Sequence, residues 1–350
     1  MRIFVILFVI IGAFITNSCV ERIDLFSGAT PTLVIDGTIT NEIGPHKIKL
    51  SFSEAFNAIP DYTRVEGAKV VIIDNLGNEE VLSYDENGYY VTSEAFQGVV
   101  GRSYQLQIEL REGLIYESSF EKIEPVPAID EVKYKVENNE VIFYVDYEDD
   151  ALIDNYYRWR HESTYQVYAP EWNSSSIKSQ PCFVSATRRL RDCWAKDFDF
   201  DYLLVSDDHL INGKSVTDFE VYRREKEDAK FAIGYSAQLK QYSISKEAFK
   251  FWSAINDQIS NTGSIFDTSN YLIEGNIKCI TNPEIVTLGY FGASAVSTKR
   301  VFVNNEELAF NFAYTCEPTG IRPSCIPIKC IDCRTHSGSS KPEKPDFWPI

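Results

Sequence analysis

Residues 46–53, His46-Lys47-Ile48-Lys49-Leu50-Ser51-Phe52-Ser53, alternate between polar and apolar side chains. Ile48, Leu50 and Phe52 fall on one face, and Lys47, Lys49, Ser51 and Ser53 fall on the other. That is the period of a strand with one buried face. Ser103-Tyr104-Gln105-Leu106-Gln107-Ile108-Glu109-Leu110 repeats it. Between the two lie the apolar run Ala68 to Ile73, the turn Asp74-Asn75-Leu76-Gly77-Asn78 and Gly88-Tyr89-Tyr90-Val91; Leu114 to Phe120 closes the series. Turn signals recur about every ten residues and no helical period intervenes. The expectation for residues 31–124 is an immunoglobulin-like β-sandwich.

Glu124-Pro125-Val126-Pro127-Ala128 reads as a stiff linker. Beyond it a second β-rich domain is expected over residues 129–333. Its strand candidates include 132–136, 141–147, 156–161, 232–242, 275–280, 286–291 and 299–303. Residues 169–196 read as irregular. One helix is expected over 246–259. Ser245 is a plausible N-cap, and Ala248, Phe251, Trp252, Ile255 and Ile259 form one apolar stripe. From Arg334 to residue 350, glycine, serine and proline predict an extended tail, with Phe347-Trp348 docking it. The fold class is therefore mainly β: a sandwich, then a β-rich domain with one amphipathic helix.

Composition agrees. Of 350 residues, 13% are aromatic, a bias that favours strands. Lys and Arg number 34 against 51 Asp and Glu, a formal charge of −17, so a nucleic-acid partner, which needs a basic stripe, is excluded. The N-terminus is the exception to the acidic, strand-rich pattern. Arg2 precedes an apolar run of about a dozen residues, the length of a signal h-region and too short to span a bilayer. The run ends in Thr16-Asn17-Ser18-Cys19, which resembles a bacterial lipobox. Residues 1–18 then form a lipoprotein signal peptide, Cys19 carries the lipid, and 19–30 is a tether. Acyl chains contribute roughly 0.8 kcal/mol per buried CH2, so several together hold a protein durably at a membrane.

Seven cysteines remain beyond Cys19. In an exported protein, disulfides are the default. Cys182, Cys193, Cys316, Cys325, Cys330 and Cys333 are the candidates, with Cys279 a buried small hydrophobe. Zinc held by the cluster 316, 325, 330, 333 with His336 is the competing reading; no metal and no cofactor are expected. Asp197-Phe198-Asp199-Phe200-Asp201-Tyr202 lacks the glycine of a calcium loop and reads as a strand with an acidic face. Glu148-Asp149-Asp150 with Asp154 reads as a solvated loop. Tyr156, Trp159, Tyr168 and Trp172 form a candidate binding surface, against the plainer role of such aromatics as core. No nucleophile elbow, His-Glu-x-x-His or phosphate-cradling loop is present, and no catalytic residue is expected.

Several stretches, taken in order, resemble a Bacteroidota outer-membrane lipoprotein family known as domain-of-unknown-function family 4249. They are residues 33–40 (Leu33 to Thr40), 44–51 (Gly44 to Ser51), 242–252 (Tyr242 to Trp252) and Gly275-Asn276-Ile277. Leu288 to Ala295, Cys330-Ile331-Asp332-Cys333 and Lys344 to Trp348 follow. The resemblance implies a lipid-anchored outer-membrane protein, often encoded beside a TonB-dependent transporter; Glu21 and Asp24, just after Cys19, resemble surface-export signals of such lipoproteins and favour the cell surface over the periplasmic face. The expected function is a non-enzymatic accessory protein of that transporter, helping nutrient capture or uptake. A structural or assembly subunit of another outer-membrane complex is the alternative, and a surface hydrolase ranks third.

Overall fold

The computed structural model describes residues 31–53, 63–151, 154–173, 189–198, 202–209, 211–261, 272–308, 316 and 326–349. The expected signal peptide, Cys19 and the expected tether lie outside the described residues, as do Cys182 and Cys325. The chain is mainly β. Among the described residues there is one α-helix, and none is long and apolar enough to cross a membrane.

The alternating stretches near the N-terminus pair as their periodicity requires. Strand β1 (Leu33–Thr40) runs antiparallel to β2 (Lys47–Phe52), with Ile35 opposite Leu50 and Asp36 opposite Lys49. Leu33, Ile35, Ile39, Ile48 and Leu50 are buried, while Asp36, Lys47 and Lys49 turn the other way. The facing sheet is built on β4 (Lys69–Asp74), β8 (Ser103–Glu109) and β9 (Ile115–Ser118). Val70, Ile72, Leu106 and Ile108 fill the interior from that side. Short β3 (Thr63–Arg64) and β7 (Tyr89–Val91) pair with β2, β6 (Ser83–Tyr84) with β7, β5 (Glu79–Val81) with β4, and β10 (Glu121–Lys122) with the start of β8.

The expected boundary at 124–129 does not separate the two parts in sequence. Two late strands complete the first sandwich. β18 (Ile277–Cys279) adds to β9, and β19 (Thr287–Ser294) runs parallel to β1 at the edge of the other sheet. Ile277, Cys279, Phe291 and Ala293 belong to the same core as Ile35 and Leu106. Apolar alternation shows that a strand has a core face, not which core it joins. The parallel pairing needs Gly289, which adopts φ +95° opposite Ile35. A Cβ there would lie 1.8 Å from the Ile35 carbonyl oxygen.

The second sandwich sets β11 (Ile129–Glu137), β12 (Glu140–Glu148) and β16 (Ser215–Glu225) against a larger sheet. That sheet runs β14 (Asp192–Phe198), β13 (Tyr156–Tyr168), β17 (Tyr235–Ser243) and β20 (Val296–Val303), with β15 (Leu204–Asp207) also on β13. Its core is aromatic: Phe143, Tyr147, Tyr157, Trp159, Tyr222 and Tyr235. Residues 192–196, expected as irregular, belong to β14, because Cys193 and Ala195 alternate into the protein as a strand requires.

Helix α1 (Lys246–Asn261) starts where expected and runs two residues further. Ser245 accepts from Ala248 N–H at 3.1 Å as the N-cap. Ala248 and Phe251 are buried against Ile244 and Tyr290 of β19, and Phe249 meets Tyr156 of β13 at 5.1 Å between ring centroids. The helix thereby bridges both sandwiches. Disulfides Cys193–Cys333 and Cys316–Cys330 hold the C-terminal segment. Lys341 pairs with Trp194 through two backbone hydrogen bonds, and Trp348 packs edge-on against Phe302 and Trp194.

Candidate functional site

Along β13 the odd-numbered side chains, Tyr157, Trp159 and His161, enter the aromatic core. The even-numbered ones, Arg158, Arg160 and Glu162, project from the opposite face. That outer face looks toward the solvent face of β1 and β2, with α1 alongside. The space between is a cleft of about 430 Å3. From the first sandwich it is lined by Asp36, Glu42, Lys47 and Lys49; from the second by the β13 charges, Tyr242 and Trp252.

The charges in the cleft are not paired at random. Lys240, whose side chain is largely buried, reaches Glu162 at 3.2 Å and Glu42 at 3.7 Å, bridging the two sandwiches. Burial pulls its pKa down, but the charges of Tyr242, Glu162 and Glu42 outweigh that and hold it above the usual lysine value. Lys47 lies over the Tyr89 ring at 5.2 Å. The Arg158 guanidinium lies over Trp252 of α1, 3.6 Å from its ring centroid. Its Nε is buried and has no hydrogen-bond partner among the described residues. Burial, with the neighbouring Arg160 charge, pushes Arg158 down to about 9, so it stays cationic at neutral pH.

Glu121 also lines the cleft. This buried carboxylate accepts from Tyr290 at 2.8 Å, Ser245 at 2.7 Å, Asn276 at 3.1 Å and Ser119 at 3.0 Å. Four donors occupy both oxygens, which makes Glu121 a fastening between β10, β19 and the helix N-cap rather than a free base. Burial beside Glu121 drives the Tyr290 hydroxyl pKa far above the usual tyrosine value.

The expected aromatic surface does not assemble. Trp159 is in the core and donates its indole N–H to Ser206 at 3.1 Å. Tyr156 packs on Phe249 under the helix. Tyr168 stands twelve residues further along the same strand, roughly 40 Å away at about 3.3 Å per residue. Trp172, partly exposed, follows beyond the strand end. Period-two alternation within one strand is the physical reason: it sends neighbouring aromatics to opposite faces.

Cys330 and Cys333 belong to different disulfides, and His336 meets the Tyr168 carbonyl oxygen at 3.2 Å, so the zinc alternative is set aside. Cys279 is buried with a free thiol. Asp149, in the acidic cluster, is not a solvated loop residue. It is buried and accepts from the Tyr157 hydroxyl at 2.8 Å and Gly213 N–H at 3.0 Å. Asp197 pairs with Lys230 and Arg224; Asp199 and Asp201 lie outside the described residues. Among the described residues no three His, Cys, Asp or Glu side chains could hold a metal ion.

A family model described as a domain of unknown function (DUF4249) matches residues 21–300, so it spans both sandwiches, the helix and every cleft residue named above. The chain belongs to the DUF4249 family. No curated protein matches it. A crystal structure of a candidate carbohydrate binding protein from Bacteroides uniformis aligns with 61% of this chain and 90% of its own. The identity is 8% and the TM-score 0.15, a superposition that carries no inference about either protein. For this DUF4249 chain the cleft is the feature that the sequence alone did not single out. Its signal was present in Tyr156-Tyr157-Arg158-Trp159-Arg160-His161: charges and aromatics alternate there, which separates a polar face from a core face.

Proposed function

We propose that this protein is a lipid-anchored, non-enzymatic accessory protein of an outer-membrane TonB-dependent transporter, and that it captures a small ligand in the cleft between its two sandwiches. The observation that carries the binding half is the cleft itself. It is concave, of small-molecule size, and walled by convergent charged groups and the aromatics Tyr242 and Trp252. The same geometry favours holding a ligand over transforming it. Glu121 is saturated with donors, and Lys240 is shared between two carboxylates. The anchoring half rests on residues 1–19. A tether of about a dozen residues reaches at most roughly 40 Å, so it keeps the protein beside integral membrane proteins at high effective concentration. An acidic chain suits a partner surface carrying Lys or Arg.

The test is recovery of the full-length tagged protein from its native outer membrane after mild crosslinking, with mass spectrometry of its companions. A TonB-dependent barrel protein is the expected partner. Recovery of a different outer-membrane complex, with no barrel transporter, would replace this reading with that of a structural or assembly subunit.

A further inference from the structure

In a chain with 51 acidic and 34 basic side chains, a cation without an acidic partner is the exception. The cleft holds two side by side. Arg158 and Arg160 project from the same face of β13, about 6.6 Å apart along the strand. Among the described residues no carboxylate stands within ion-pair distance of either, although Asp36, Glu42 and Glu162 line the same cleft. Lys240 takes Glu42 and Glu162 for itself. What remains is a guanidinium 3.6 Å over an indole ring, close enough to stack on it, with a buried Nε–H lacking an acceptor, beside a second positive charge.

Stacking on Trp252 uses the face of the guanidinium and leaves its in-plane N–H edge available, the edge that binds a carboxylate or phosphate through two parallel hydrogen bonds. Two adjacent like charges repel, and a buried donor without an acceptor costs stability. An oxyanion placed against that edge relieves both. Asp36, whose charge acts on Arg158 from beyond ion-pair distance, and Glu42 also line the wall and suit hydroxyl donors. The volume of about 430 Å3 fits a small molecule.

We infer that the cleft takes an acidic, hydroxyl-bearing small molecule, its carboxylate or phosphate held by the in-plane edge of Arg158 with Arg160 as the second cation. This rests on reading the cleft as a binding site, and it adds the chemical class of the ligand.

Isothermal titration calorimetry of the mature protein with D-glucuronate, glucose 6-phosphate and D-glucose tests it. At least one of the two acids should bind ten or more times more tightly than glucose. The acid that binds names the source of the oxyanion. Arg158→Gln should weaken that acid by tenfold or more. Arg158→Lys, which keeps the charge and loses the planar edge, should fall between. The Arg158 Nε–Hε resonance in a 15N spectrum should move on binding, a response that a purely structural strut would not give. Arg160 is exposed, so Arg160→Gln keeps the test decisive if the Arg158 variants fail to fold; it should cost threefold or more. Glucose binding as tightly as the acids, both acids leaving the Arg158 resonance unmoved, or undiminished acid binding by the folded arginine variants would overturn the inference. Co-purification with a transporter is a separate readout. A barrel recovered with no acid binding sinks only the ligand class, and acid binding with no barrel sinks only the accessory role.

Discussion

Ser245 Oγ donates to Glu121 Oε2 at 2.7 Å from 124 positions away, and Ser245 Oγ also accepts from the Ala248 N–H at 3.1 Å. One side-chain atom thus caps α1 and fastens it to β10 of the first sandwich. Ser245→Ala removes a cap worth about 1 kcal/mol and leaves a buried carboxylate one donor short, at about 1–3 kcal/mol. A loss of about 2–3 kcal/mol in urea denaturation is expected, largely recovered by Ser245→Thr. A loss under about 0.5 kcal/mol would show that the link does not matter.

Gly289→Ala should be far more damaging than its size suggests. The new Cβ would sit 1.8 Å from the Ile35 carbonyl oxygen at a φ of +95°, inside the parallel pairing of β1 and β19. A loss above about 3 kcal/mol, or no cooperative melt by circular dichroism, is expected. Gly77→Ala, also at positive φ but with open space around it, should cost only about 1 kcal/mol. A fragment of residues 31–124 lacks β18 and β19, leaves β1 and β9 with open edges, and should aggregate rather than fold. A monomeric, cooperatively melting fragment would contradict the shared sandwich.

Oxidised cysteines should leave few thiols to titrate. Seven cysteines beyond Cys19 cannot all pair within a monomer, and Cys279 is a buried free thiol among the described residues. Thiol titration of denatured, unreduced mature protein should give about one free thiol, and native protein close to none. Four or more would defeat this. The Cys193→Ala, Cys333→Ala double variant opens a link spanning 140 residues and should lose about 2–5 kcal/mol. Its C-terminal segment should also become sensitive to trypsin after Arg334 before the rest of the chain.

Acidification should weaken the fold through His46. Its ring is buried, edge-on to Phe96 at 5.6 Å. Burial lowers its pKa below 6.5, only partly offset by the hydrogen bond to the Glu42 backbone and the Glu42 charge. Above pH 6.5 both folded and unfolded forms are neutral and stability is flat. Below 6.5 the unfolded chain takes up a proton first, so stability falls, by at most about 1.4 kcal/mol per pH unit, until the folded pKa is passed. His336, also lowered by burial, acts in the same direction. His46→Gln should therefore reduce the slope between pH 6.5 and 5 without abolishing it. An unchanged slope would remove His46 from the effect.

Cys19→Ser should move the protein from the membrane to the soluble fraction. If the variant still pellets with outer membranes after a carbonate wash, the attachment is not through that residue.

Local pattern alone determined the strand-rich class, the alternation of β2 and β8, and the helix with its Ser245 cap, because each is a relation among residues within one or two turns of chain. It also determined that the cysteines are numerous enough for staples. The tertiary structure decided everything that depends on distant partners. The strands at 277–279 and 287–294 look like any others in sequence, yet they pack with Ile35 and Leu106, since alternation states that a face is buried and not against what. The pairing of Cys193 with Cys333 follows from the approach of the tail to β14. Trp159 could have been a surface platform or core by composition; its parity on β13 put it inside and put Arg158 in the cleft. The cleft itself has no local signature at all. It exists because the chain returns β18 and β19 to the first sandwich and packs α1 against both, and only that packing sets the charges of β1, β2 and β13 across from one another.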